Sequence, residues 1–343
     1  MRNIFLMGII FLSMTVFVLA EVPKSRSIEF NYEIVFKNVP ENAKELKVWI
    51  PALSDTEYQK IKSMVIDPEN LADITYDTTY QNKIINFIFK NPSETVSPIK
   101  VNYKVERLEY AKKVKGDTQK ELLESKESLA KFLKINRLGE LTEETKQIAR
   151  EITKGKKATL DKARAIYDYV FENVSYDKEI PGWGKGDTAR VCNLKAGNCT
   201  DFHSLFISMA RENNIPAKFV IGVPFKANVT EGEYSGYHCW AEFYDETQGW
   251  VPVDISEASK DKSKYEYHFG AIDENRIEFS QGRDIVLEPK QQGEPLNYFI
   301  YPYAEVDGKV FKGVGILFKF RDVGSTKNVR NKLGYLMNNE KGK

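Results

Sequence analysis

Gly197-Asn198-Cys199-Thr200-Asp201-Phe202-His203-Ser204-Leu205-Phe206 is the stretch on which the reading of this chain turns. Phe202, Leu205, Phe206, Met209 and Ala210 recur at helical spacing and mark a buried face. Gly197-Asn198 supplies a loop and a capping residue, which puts Cys199 in the first turn of that helix. The position matters chemically. The first N–H groups of a helix lack intrahelical partners, and the positive helix end stabilises a thiolate. On this stretch alone two readings stand: an activated thiol, or a cysteine that packs as a small hydrophobe.

Two further stretches bear on the choice. Gly236-Tyr237-His238-Cys239-Trp240-Ala241-Glu242-Phe243-Tyr244 reads as a strand with His238 at its start. Gly249-Trp250-Val251-Pro252-Val253-Asp254 follows at hairpin distance, and the turn at 245–248 sets Asp254 beside His238. A carboxylate there orients an imidazole and stabilises its charged form, and the imidazole takes the proton of a thiol. Cys199, His238 and Asp254 are therefore the candidate catalytic residues.

Outward from this core the texture changes twice. Residues 27–36, 46–50, 83–89 and 99–105 alternate polar and apolar side chains at period two, with turn clusters between them. They predict a small antiparallel β-sandwich. After a charged linker at 112–116, Thr142 begins one helix and Thr159 or Asp161 the next. Strands return at 218–223, 238–244 and 249–253, and the tail at 297–303 and 314–320 is β-rich. The expected organisation is a leader at 1–20, a sandwich domain at 21–111, an α+β domain at 112–325 and a tail at 326–343.

Composition narrows the classes. The 343 residues carry 50 Lys+Arg and 49 Asp+Glu, so no overall charge draws the chain to nucleic acid or anionic membrane. With 42% hydrophobic residues it can bury a core. Residues 1–20 combine Arg2, an apolar run of about 17 residues and Val18-Leu19-Ala20 before Glu21. This pattern predicts a cleaved signal peptide and an exported protein, periplasmic or secreted; the rival is an uncleaved membrane anchor.

The motifs Gly197-Asn198-Cys199-Thr200-Asp201, Ala210-Arg211 with Ile215-Pro216-Ala217, His238-Cys239-Trp240-Ala241-Glu242 and Gly249-Trp250-Val251-Pro252-Val253-Asp254 resemble the core of the transglutaminase-like superfamily. The resemblance implies a papain-like α+β fold with a Cys-His-Asp triad in this chain order: Cys199 as nucleophile, His238 as base, Asp254 as orienting acid. It implies a cysteine peptidase, amidase or acyltransferase acting on a peptide or protein, or a catalytically silent relative serving as a binding or assembly module. Cell-envelope material held by the sandwich domain is a further expected partner.

Supporting residues are less determined. The Cys199 N–H is one oxyanion donor. Asn193, six residues before the nucleophile where papain-like enzymes place a side-chain donor, and Trp183 are candidates for a second, each with a structural rival. His203, one turn after Cys199, and Trp240 are candidates to line the cleft, with core packing as the rival. Spacing argues against a metal site: six residues separate Cys192 from Cys199, too many for a zinc knuckle. No cofactor is expected. The loop Pro181-Gly182-Trp183-Gly184-Lys185-Gly186-Asp187 lacks the ending of a phosphate loop. Of 3 cysteines, Cys192 and Cys239 remain once Cys199 is set aside. Strand alternation turns Cys239 from the face that His238 uses, leaving a Cys192–Cys239 disulfide or two buried thiols as alternatives.

Overall fold

The computed structural model describes residues 24–112 and 124–323. The leader at 1–20, most of the linker at 112–116 and the tail at 326–343 lie outside the described residues.

Ser25–Phe36 alternates as its sequence dictates, with Ile28, Phe30, Tyr32 and Ile34 buried. It pairs antiparallel with Ile99–Leu108 on one side and with Val314–Asp322 on the other. The full sheet runs Glu231–Tyr234, Val314–Asp322, Ser25–Phe36, Ile99–Leu108, Gln59–Asp67. A second five-stranded sheet runs Lys309–Val310, Tyr303–Val306, Glu45–Pro51, Lys83–Lys90, Ala72–Tyr76. Leu46, Val48, Ile50 and Phe87 of this sheet join the inner face of the first in one apolar core. Each such fully buried side chain contributes about 1.5–3 kcal/mol.

This sandwich corrects the division expected at 112–325. Tyr303–Val306, Lys309–Val310 and Val314–Asp322 belong to its two sheets, and Glu231–Tyr234 forms an edge. Residues 297–302 are not a strand. The pairing of Ile28 with Asp322 spans almost the whole chain, and local periodicity cannot report which distant strand completes a sheet.

The second layer is an antiparallel sheet ordered Gly249–Val253, His238–Asp245, Ala217–Pro224, Arg276–Gln281. The helix Cys199–Glu212 packs on His238–Asp245 and is flanked by Glu143–Thr153, Thr159–Asn173 and Thr188–Leu194. Surrounded on all sides, it buries every residue from Cys199 to Arg211 rather than a single face. Buried polar side chains on it find internal partners: Arg211 donates to the Ala217 carbonyl at 2.7 Å, and Ser204 Oγ accepts from Arg283 at 2.9 Å. The sandwich and this layer share a core. Phe279 packs against Phe30 and Tyr32, with ring centroids 5.8 and 5.9 Å apart.

One glycine is required by close approach. Gly222 pairs with His238 on one side and Glu278 on the other, at a bulge. A Cβ there would lie 1.9 Å from the Ile277 carbonyl oxygen, so only glycine lets Arg276–Gln281 come up beside the strand that carries His238.

Candidate active site

The N-terminus of the Cys199 helix is built from two interlocked hydrogen-bond systems. Asn198 Oδ1 accepts from the Thr200 N–H at 2.9 Å, and the Asp201 carboxylate accepts from the Asn198 N–H at 2.9 Å. This is a capping box. Asp201 is fully buried and also accepts from the Gly184 and Gly186 N–H groups, at 2.6 and 3.1 Å, while Arg190 Nη2 lies 2.7 Å away. Gly184 and Gly186 have φ of +78° and +63°, a conformation natural to glycine. The glycine loop thus forms an anion cradle of the phosphate-loop kind, and the anion in it is the chain's own Asp201. Arg283 closes the loop from behind through the Lys185 and Gly186 carbonyls.

A second buried carboxylate lies under the other end of the site. Asp254 caps the short helix Ile255–Lys260, its Oδ1 accepting from the Glu257 N–H at 3.1 Å and from Ser256 Oγ at 3.2 Å. Its Oδ2 faces His238 Nε2 at 2.7 Å and Arg276 Nη1 at 2.8 Å. Burial opposes the charge, but His238 and Arg276 hold the carboxyl well below its ordinary value. The effect on His238 is reciprocal. Burial disfavours the imidazolium, and Asp254 and then Cys199 outweigh it, so its pKa rises to about 10. With Nε2 engaged, Nδ1 is the nitrogen left for a thiol.

Cys199 is 2% exposed. Its thiol is held well below the ordinary value by hydrogen bonding from Cys239 and, against burial, by hydrogen bonding and charge attraction from His238. The helix end adds to the same preference. The two shifts run in the same direction and favour a thiolate–imidazolium pair over the neutral one. An ion pair of this kind can attack an electrophilic carbonyl and protonate the group it expels.

The other expected residues are placed as follows. His203 lies beneath the site, with no exposure. Its Nε2 accepts from the Ile255 N–H at 3.1 Å, so Nδ1 carries the proton and points to Cys239 Sγ at 3.8 Å. Burial takes its pKa down to about 4 despite Asp254, which makes it a neutral prop rather than a second base. Trp240 is not in the cleft. It is fully buried with Tyr110, Val220 and Ile272, because its strand is covered on both faces. Asn193 is exposed on Thr188–Leu194, and Trp183 is 40% exposed with Lys178 Nζ 5.7 Å from its ring centre. No hydrogen bond joins either to Cys199. Cys192 and Cys239 are free thiols. Cys239 faces the helix, 3.7 Å from Thr200 Oγ1, and its thiol interacts with Cys199. The helix start packs directly on the start of the strand, so Cys239 belongs to the site and is spent there rather than on Cys192. Among the described residues no cluster of three or more His, Cys, Asp or Glu has the form of a metal site.

Sequence reasoning did not single out Arg276 or Asp201. The bulge at Gly222 is what brings Arg276 to Asp254. Asp201 carried a signal in hindsight: a carboxylate three residues after Asn198 completes a capping box. Tyr237, immediately before His238, was also passed over; its hydroxyl is 3.1 Å from both Asn198 Nδ2 and Thr200 Oγ1 and ties the His238 strand to the helix start.

A cavity of about 740 Å³ opens beside His238. Tyr176, Tyr237 and Lys260 line it from the α+β layer, and Glu233, Tyr234 and Phe320 from the sandwich. The cleft is thus walled by both parts of the molecule.

Residues 146–255, which hold Cys199, His238 and Asp254, match the sequence model of the transglutaminase-like superfamily. This segment is a transglutaminase-like core. The chain is similar, at 28% identity over 315 residues, to an uncharacterized protein of Haemophilus influenzae, covering 81% of this chain and 84% of that protein. It is similar at 28% over 134 residues to the uncharacterized protein YebA of Bacillus subtilis, covering 33% of this chain and 17% of YebA. A solved structure from Cytophaga hutchinsonii, of a protein proposed to be a cysteine protease, superposes with a TM-score of 0.56 at 16% identity, covering 89% of this chain and 92% of that one. At that identity the likeness concerns the fold. Its breadth extends the similarity beyond the transglutaminase-like core into the β-rich remainder.

Proposed function

We propose that this protein is an exported cysteine acyl-transfer enzyme that hydrolyses peptide or amide bonds. One observation carries the reading: His238 is fixed through Nε2 to a buried Asp254 at 2.7 Å, leaving its other nitrogen to a cysteine at a helix start. In the reaction, the Cys199 thiolate adds to the amide carbonyl, forming the C–S bond. The Cys199 N–H, unpaired in the first turn, donates to the resulting oxyanion. His238 gives its proton to the leaving nitrogen as the C–N bond breaks, and a thioester remains. Water then attacks, His238 takes its proton, and the acid leaves with the thiolate restored. An amine in place of the water transfers the acyl group instead. Export rests on the apolar residues 4–20 after Arg2.

The test is incubation with a peptide library and a labelled amine. Cleavage, or amine incorporation, that disappears in Cys199→Ala is the expected result. A folded wild-type chain that does neither contradicts the proposal. The 2% exposure of Cys199 favours one rival, a silent scaffold on the same fold, and that rival predicts no turnover of any substrate. Envelope attachment through the sandwich is a separate proposal: the Cys199→Ala chain should sediment with isolated cell-envelope material, and a chain left in the supernatant would end it.

A further inference from the structure

The cavity beside His238 is lopsided in charge. Four lysines, Arg276 and His238 line it against three acidic side chains. The acids are already engaged: Glu257 with Lys260 at 2.7 Å, Asp273 with Arg276 at 2.9 Å, and Glu233 with Lys319 at 3.0 Å. Among the described residues, Lys178, Lys226 and Lys264 form no ion pair, and all three are exposed on the cavity lining. They come from three separate segments: the loop after Ser175–Tyr176, the loop after Ala217–Pro224, and the turn Lys262–Lys264. Their convergence is therefore a property of the fold and not of a basic run. Nor is it a by-product of composition, since the chain carries 50 basic and 49 acidic residues.

The rest of the lining suits an extended chain. Tyr176, Tyr234 and Tyr237 offer aromatic faces with polar tips. The strand Glu231–Tyr234 is the edge of its sheet, so one side of its backbone is unpaired within that sheet. The volume of about 740 Å³ falls in the range of ligand clefts.

We propose that this cleft binds an acidic peptide, its carboxylates on Lys178, Lys226 and Lys264 and one of its amide carbonyls at the His238 side of the cleft. The choice of substrate deepens the acyl-transfer reading and rests on it for the reaction. The binding does not depend on that reading.

The experiment uses the full chain with Cys199→Ala and two fluorescein-labelled peptides, one with three Glu residues and one with Gln in their place. Fluorescence anisotropy at low salt should show the acidic peptide binding about tenfold tighter, with the preference shrinking as salt rises. Charge reversal by K178E, K226E and K264E together should abolish or invert that preference. Each single Lys→Gln variant should lose about twofold, which keeps the test open if the triple variant fails to fold. Equal binding of the two peptides, or a preference that ignores the lysines, overturns the proposal. Turnover by the wild-type chain separates the two claims. Acidic binding without turnover removes the acyl-transfer reading and leaves this one. Turnover of both peptides at equal rates with equal binding does the reverse.

Discussion

Two fully buried carboxylates stand at the two sides of Cys199, each with an arginine 2.7–2.8 Å away: Asp201 with Arg190, and Asp254 with Arg276. They differ in what fills their remaining acceptor sites. Asp201 takes backbone N–H groups from Gly184, Gly186 and Asn198, none of which titrates. Asp254 takes one backbone N–H and the Ser256 hydroxyl on Oδ1 and gives Oδ2 to an imidazole and a guanidinium. The same chemical group therefore acts as a structural staple in one place and as a proton-affinity setter in the other. Its neighbours decide the role.

The comparison is broken most severely at Asp254. Asp254→Asn should keep its shape but lose the charge that holds the His238 imidazolium, and turnover should fall about 10⁴-fold. Survival of near wild-type rates would mean that Asp254 is another staple. Removing the other carboxylate should act on the fold. Asp201→Ala leaves Arg190 and two glycine N–H groups unpartnered, and urea denaturation should show a loss of about 3–5 kcal/mol. In the folded fraction the pH midpoint of Cys199 alkylation should stay where it is.

How much of this contrast is legible in sequence depends on how local its causes are. The strand Ser25–Phe36 shows its pattern at period two, and a short turn brings Asp254 back beside His238. Thr142 caps its helix as the sequence suggests, accepting from the Thr145 N–H. What escapes notice is set at long range. The strand at 314–322 completes a sheet begun at residue 25, and Arg276 reaches Asp254 only because Gly222 lets a third strand approach. Trp240 reads as cleft-lining when a half-exposed strand is assumed, but that strand is covered on both faces. Cys239 reads as facing away by alternation, which says nothing about a helix end docked against it.

Smaller perturbations sharpen the contrast. Arg276→Met removes one charged hydrogen bond from Asp254 without touching His238 or Cys199. Turnover should fall about 10–100-fold, while Arg276→Lys recovers part of the loss. An unchanged pH profile in Arg276→Met would reduce Arg276 to packing. Cys239→Ala removes the thiol that interacts with Cys199. The alkylation midpoint of Cys199 should move up by about one pH unit, and no movement would leave the lowered value to His238 and the helix end.

The central claim is that Cys199 and His238 form a thiolate–imidazolium pair held by Asp254. Iodoacetamide alkylation of Cys199, followed against pH by mass spectrometry, tests it most directly, because the midpoint reports the ionisation whatever the absolute rate of access. The account predicts a wild-type midpoint well below the ordinary thiol value of 9.0, and a shift toward that value in His238→Ala. A wild-type midpoint at the ordinary value, or one that His238→Ala leaves in place, would contradict it.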